Sequence, residues 1–310
     1  MNTRGGSVLV AGSANLDFVV RAAHVPAPGE TVLGQGFATY PGGKGANQAV
    51  ACARAGAPTR LLAAFGDDDY AAPIERSLQA AGVEVMALRV ADTTTGTAFI
   101  CVSDDGENAI TVAPGANAAL RPEHLPDLDG VSHLLLQLET PLATVEAWAL
   151  AARAAGVAVI LNAAPAQALP DRLLAAVDVL IVNEGELAAI TGVHDDRAAA
   201  LARLRTPWVI VTLGARGCCA RIGDALLDQP AYPVTAVDTT AAGDTFCGTL
   251  AAALAAGEDG ATALRRASAA SALACTRAGA QSSVPSRDEV DALLAHVRIG
   301  DAPTTRAASP

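Results

Sequence analysis

Short runs of consecutive apolar residues recur along this chain, and most are followed by an Ala-rich stretch. Val8-Leu9-Val10 precedes residues 47–55, residues 61–65 precede 74–81, and residues 134–138 precede 145–155. The series continues with residues 157–161, 180–182 and 209–213. A strand that is apolar at every position, without polar alternation, is buried on both faces, and repeated strand-helix alternation supplies the helices that cover it. The expected fold is α/β, with a mostly parallel sheet between helical layers. In such sheets ligands bind at the carboxyl ends of the strands. Residues 18–40 and 94–112 depart from the pattern: their short apolar runs are broken by Gly, Pro, Asp and Asn, which predicts a small accessory sheet inserted into one domain over residues 1–298. Residues 299–310 are polar and aperiodic and read as a disordered tail.

Composition narrows the function classes. No apolar run reaches the ~18 residues of a membrane span, and the early run at Val8 is closed by Gly12, Asn15 and Asp17, which suits a first buried strand better than a signal segment. The formal net charge of -11 opposes binding to a nucleic-acid backbone. Six cysteines show no CxxC pair and no metal-type spacing with the five histidines. The expectation is a cytoplasmic protein that acts on small molecules, with neither nucleic acid nor membrane as partner.

The sharpest local signal is Asp238-Thr239-Thr240-Ala241-Ala242-Gly243-Asp244-Thr245-Phe246, followed by an Ala/Leu helix that stops at Gly257. A turn of small residues opening a helix leaves backbone N–H groups unpaired, and these, with the helix dipole, hold an anion. Ala241, Ala242 and Gly243 supply that cradle, and Asp244 beside it can accept the proton of an attacking hydroxyl. Taken alone, the same residues also fit a plain helix cap over a tight turn.

A second cluster, Pro41-Gly42-Gly43-Lys44-Gly45-Ala46-Asn47-Gln48-Ala49, is expected to let backbone approach a ligand before a helix that starts near Asn47. It is not a Walker A loop, because Gly45 follows the lysine where Ser or Thr is needed. Lys44 is the only lysine in the chain, which points to a need for a compact ammonium there. Its plain alternative is a Gly-rich turn. In Gly12-Ser13-Ala14-Asn15-Leu16-Asp17, at the end of the first strand, an extended backbone projects Asn15 and Asp17 to one side, as recognition of a vicinal diol requires. An Asx-turn explains the same residues.

Together these segments resemble the ribokinase, or PfkB, family of carbohydrate kinases, over most of the chain and with both motifs in the family's order. The resemblance implies a three-layer α/β/α fold with a small β-sheet lid, a homodimer, and ATP-dependent phosphorylation of D-ribose at its 5-hydroxyl. By that likeness Asn15, Asp17, Gly43, Lys44, Gly45, Asn47 and Glu139 bind the sugar, and Asp244 is the base. Asn183 and Glu186, in Val182-Asn183-Glu184-Gly185-Glu186, meet the nucleotide phosphates and Mg²⁺. Thr212, Gly214, Ala215, Arg216 and Gly217 lie along the nucleotide, with Ser268 standing where a His is usual and Cys247 where an Asn is usual. A K⁺ site is implied at Asp238, Thr240, Ala274, Arg277, Gly279 and Ser283. A related kinase for 2-deoxyribose, a nucleoside or another sugar, or a non-catalytic sugar sensor, remains open at this point. A hydride-transferring Rossmann enzyme is disfavoured, since no strand is followed by G-x-G-x-x-G.

Overall fold

In the computed structural model, which describes residues 6–296 and the backbone of 304–307, the strands are β1 (Ser7–Ala11), β2 (Asn15–Ala22), β3 (Gly36–Gly42), β4 (Thr59–Gly66), β5 (Glu84–Val90), β6 (Gly96–Ser103), β7 (Asn108–Ala113), β8 (Val131–Leu136), β9 (Ala158–Asn162), β10 (Val179–Asn183), β11 (Trp208–Thr212), β12 (Cys218–Ile222), β13 (Ala225–Gln229) and β14 (Thr304–Ala307). The helices are α1 (Lys44–Arg54), α2 (Ala71–Ala80), α3 (Leu142–Ala154), α4 (Asp171–Ala176), α5 (Glu184–Thr191), α6 (Arg197–Arg203), α7 (Ala242–Ala255), α8 (Gly260–Ala274) and α9 (Arg287–His296).

The main sheet has the order β14-β13-β12-β11-β10-β9-β8-β1-β4-β5, parallel from β11 to β5 and antiparallel beyond β11. The alternation of side chains sorts each parallel strand between two cores. Val8 and Val10 pack with α1, α2, α7 and α8, while Leu9 and Ala11 pack with α3 to α6. Leu61, Ala63 and Phe65 against Leu62 and Ala64 repeat the division on β4. This is the expected three-layer arrangement. The order of connection reverses around β1, whose neighbours are β4 on one side and β8 on the other. In sheets of this kind ligands bind beyond the carboxyl ends of the strands at such a reversal, and here the end of β1, at Gly12 and Ser13, is buried under the start of α1.

Residues 18–40 and 94–112 contribute to a separate four-stranded sheet, ordered β3-β2-β6-β7. One face carries an aromatic cluster in which Phe18 stacks on Phe99 with centroids 5.4 Å apart and meets Tyr70 edge-on at 5.4 Å. Phe37, Phe99 and Ile110 nevertheless remain more than half exposed, at 65%, 54% and 56%.

At the β11 end of the main sheet two features differ from the sequence reading. The hairpin β12–β13 extends the main sheet antiparallel after β11, where no strand was expected. Within the segment read as a disordered tail, Thr304–Ala307 is a strand paired with β13. Short polar segments without period become strands when an existing edge offers unpaired backbone groups. The rest of residues 299–310 lies outside the described residues.

Candidate active site

The start of α7 is the centre of the site. Ala241, just before the helix, adopts a left-handed conformation (φ 56°), which costs a non-glycine residue about 1–2 kcal/mol. That turn brings the chain into α7 so that Gly243 is exposed and its missing side chain would point into open space. The Ala242 N–H is already engaged, donating to the Thr239 carbonyl at 3.2 Å. The N–H groups of Gly243 and Asp244 have no acceptor among the described residues. Of the amides expected to form an anion cradle, that of Ala242 closes the turn itself, while that of Gly243 stays free beside Asp244.

Asp244 is buried, and each of its oxygens accepts one hydrogen bond. Asn47 Nδ2 donates to Oδ2 at 3.0 Å and Gln48 Nε2 to Oδ1 at 2.9 Å. Both donors come from α1, which lies flush against α7 because position 248 is glycine: a Cβ there would run into the Gln48 carbonyl and the Ala51 side chain. Cys52 Sγ reinforces the contact by donating to the Gly248 carbonyl at 3.2 Å. Asn47 Oδ1 is buried and without a partner among the described residues.

Helix α1 begins at Lys44, earlier than the expected start near Asn47. The glycines before and within its first turn approach the chain's own backbone rather than open space. Gly43 (φ 87°) lies against Ala14 and Asn15, and Gly45 against Gly12 and Ser13. Close packing of the loop on the end of β1 sets the Lys44 ammonium among carboxylates. Burial alone would lower its pKa, but Asp244, Glu139 and Glu186 together hold it above the usual lysine value. Glu139 is fixed in turn, its Oε2 accepting from Ser13 Oγ at 2.6 Å and from the Lys44 N–H at 3.1 Å.

Asn15 and Asp17 share one face of β2, as the extended spacing predicted, and both are buried. Asn15 Oδ1 accepts from Asn117 Nδ2 at 2.8 Å. Burial, and then the charges of Glu139 and Asp244, raise the Asp17 carboxyl to about 7. Asp17 lines a cavity of about 570 Å³ that lies between the small sheet, with Tyr40, and the loops carrying Asp238, Thr240 and Gly279.

A second cavity, of about 180 Å³, is lined by Lys44, Asn183, Glu186, Thr212, Gly243 and Asp244. Asn183 and Glu186 form a reciprocal cap on α5: Glu186 N–H donates to Asn183 Oδ1 at 2.8 Å, and Asn183 N–H to Glu186 Oε2 at 2.7 Å. Burial raises the Glu186 carboxyl despite that bond. Gly214, Ala215 and Arg216 form a short 3₁₀ turn closed by Gly217, and Arg216 pairs with Glu184 at 2.6 Å on the surface.

The expected cation loop is assembled by Asp238, whose two oxygens accept the N–H groups of Thr240 and Gly279, each at 2.9 Å. Those bonds lower the Asp238 carboxyl even though burial works the other way. Its neighbours divide: Ser283 Oγ donates to the Ala280 carbonyl at 2.8 Å, the Ala274 carbonyl accepts the Arg277 N–H at 3.2 Å, and the Arg277 side chain turns to Glu289. Ser268 is buried on α8, its hydroxyl 3.8 Å from Cys218 Sγ, so its polar group faces protein rather than the cavity.

Sequence reasoning assigns no role to Ser13, Gln48, Asn117, Gln137 and Asn162, all of them buried. Gln48 stood inside a motif already singled out, and Asn162 at the end of an apolar run. Asn117 carried no local signal, because its partner Asn15 lies 102 residues away.

Residues 6–287 match the model of the pfkB family carbohydrate kinases. The chain is 39% identical over 303 residues to the ribokinase of Haemophilus influenzae, covering 94% of this chain and 99% of that one. It is 34% identical over 300 residues to the deoxyribokinase of Salmonella typhi, covering 93% and 98%. The structure of Arabidopsis thaliana ribokinase complexed with ribose and ATP superposes with a TM-score of 0.87 at 34% identity, over 94% of this chain and 100% of that one. A parallel sheet carrying a small lid, a helix whose free amides flank a buried aspartate, and similarity along nearly the entire length converge: this chain is a member of the pfkB family of carbohydrate kinases.

Proposed function

We propose that this protein is a cytoplasmic ribokinase that transfers the γ-phosphoryl group of ATP to the 5-hydroxyl of D-ribose. The observation that carries the reading is Asp244: a buried carboxylate held by two neutral amides, directly beside the two unpaired N–H groups of the α7 N-terminus. Neutral donors orient the acid without giving it a proton, so it is free to act as a base. Ribose lies on the lid side, against Asn15, Asp17 and Asn47, and the unpartnered Asn47 Oδ1 is an acceptor for a sugar hydroxyl. Gly43, Gly45 and Glu139 complete that side by fixing the loop and Lys44.

ATP lies on the other side, along Thr212, Gly214, Ala215 and Gly217, with its phosphates toward Asn183 and Lys44. As the 5-oxygen attacks the γ-phosphorus, its proton passes to Asp244 and the bond to the ADP oxygen breaks. Charge on the transferring group is met by the Gly243 and Asp244 amides. Mg²⁺ neutralises phosphate charge when bound; Glu186 fits an ion that keeps most of its waters, since one of its oxygens is committed to the cap. A K⁺ ion would be held at the Asp238 loop, where one carboxylate ties the segment of Thr240 to that of Gly279. The lid excludes water from the transfer, and its exposed Phe37, Phe99 and Ile110 suit burial against a second lid in a homodimer.

Asp244→Asn tests the assignment. Turnover should fall by about 10²–10⁴-fold while ribose binding by calorimetry is largely kept, and near-normal turnover would remove Asp244 from the role. The 34% identity to a deoxyribokinase keeps 2-deoxyribose as a second substrate reading. ADP release measured across ribose, 2-deoxyribose and nucleosides decides between them, with ribose expected to give the largest kcat/KM.

A further inference from the structure

Gln48 is the central member of a network of four buried polar side chains that joins the main sheet to the proposed base. Its Nε2 lies 2.9 Å from Asp244 Oδ1 and 3.0 Å from Asn162 Oδ1, and its Oε1 lies 2.7 Å from Gln137 Nε2. Gln48 and Gln137 have no exposed surface, and Asn162 and Asp244 are 8% and 7% exposed. An ionised carboxylate only accepts, so the group facing Asp244 is the amide nitrogen, and its two hydrogens serve Asp244 and Asn162. The amide oxygen must then face Gln137. Every choice of amide orientation in the chain follows from the charge at one end.

We propose that Gln48 is a positioning residue that fixes the Asp244 carboxylate in the plane and rotamer needed to receive the sugar proton, with Gln137 and Asn162 as its braces. The inference rests on Asp244 being the base. Gln137 comes from the loop after β8 and Asn162 from the end of β9, so the brace ties the base to the rigid sheet rather than to α7 alone. Room for it is made at Gly12, where a side chain would collide with the Gln137 amide oxygen. The network is also poorly designed for stability. Gln137 Oε1 is buried without a partner among the described residues, whereas an apolar side chain of the same shape there would leave no such atom unsatisfied. Side chains that cost stability but lock one carboxylate orientation have their use in orientation.

The test is a double-mutant cycle in the full-length protein with ribose and ATP. Gln48→Met should lower kcat by about tenfold or more, with ribose KM little changed, because a base misplaced by about 1 Å costs up to ~10²-fold. In an Asp244→Asn background the same substitution should cause almost no additional loss, since there is no base left to position. Gln48→Glu supplies a readout that a packing role would not move. At high pH it opposes a second carboxylate to Asp244 and suppresses turnover, and activity should recover as the pH falls and the pair takes up one proton. Losses that multiply in the Asp244→Asn background, or a Gln48→Met enzyme with normal kcat, would overturn the proposal. If Gln48→Met gives no cooperative melting transition, Gln137→Met carries the same cycle with Gln48 in place: a kcat loss that vanishes in the Asp244→Asn background supports the brace, and an independent loss refutes it. Normal turnover in Asp244→Asn alone would instead refute the base assignment itself.

Discussion

On the lid side of α7 the polar groups are buried side chains that hold one another: Asn47 and Gln48 on Asp244, Asn117 on Asn15, Ser13 on Glu139. On the opposite side the available groups are mostly backbone amides at Gly243 and Asp244 and residues near solvent, such as Asn183 and the surface pair Arg216–Glu184. Under the proposed function the difference matches two recognition problems. A sugar is distinguished by the directions of its hydroxyls, which demands fixed donors and acceptors whose mispairing is costly. A polyphosphate presents the same charge in every direction, so a helix N-terminus and one ammonium suffice.

Lys44 belongs to both sides, and of the substitutions that probe this contrast away from the base its loss should have the largest effect. Lys44→Gln leaves Asp244, Glu139 and Glu186 without their shared cation in a site that must accept an anion, and kcat/KM for ATP is expected to drop by about 10²-fold or more. Steady-state kinetics over a range of ATP concentrations would show it, and a change confined to ribose KM would assign the ammonium to the sugar alone.

Asp17 sharpens the contrast by an intermediate amount. Its carboxyl is raised from 3.8 to about 7 in the fold, so the native state binds a proton that the unfolded state has released across that window. Stability of the free protein therefore falls as pH rises from about 4 to about 7, and the loss is complete above the folded value. Asp17→Asn removes the penalty, so its Tm should exceed the wild-type value at pH 8 and converge with it near pH 4. A gap that does not vary with pH would show that Asp17 is not held protonated.

The smallest effect is expected at Arg216. It is paired on the surface with Glu184, a kind of contact worth about 0.2–1 kcal/mol. Arg216→Ala should move ATP KM by no more than about threefold, with ribose KM unchanged. A tenfold rise would mean that the guanidinium leaves Glu184 to bind nucleotide, and that the second side of the site relies on side chains after all.

Much of this arrangement was legible because its signals are local. The continuous apolar strands, the helix opened by Gly243-Asp244, and the i, i+2 pair Asn15 and Asp17 each declare themselves within a few residues. The hairpin β12–β13 and strand β14 did not, since edge strands are recruited by neighbours rather than by their own pattern. The surroundings of Ser268 were not legible for a related reason: the packing of its helix turns its hydroxyl toward Cys218, 50 residues away. The glycines around Lys44 looked like a ligand-facing loop, but their lack of side chains serves the approach of α1 to the end of β1.

Sequence alone determined the class of sheet and the turn of small residues that opens a helix at Asp244, because those depend on hydrophobic period and on turn chemistry within single segments. Only the tertiary structure decided what surrounds the carboxylate. Asn47 reaches Asp244 across 197 residues of chain, and Gln48 reaches it across 196, because α1 and α7 meet at a glycine. No local pattern encodes such a pairing, since it is set by how two helices pack.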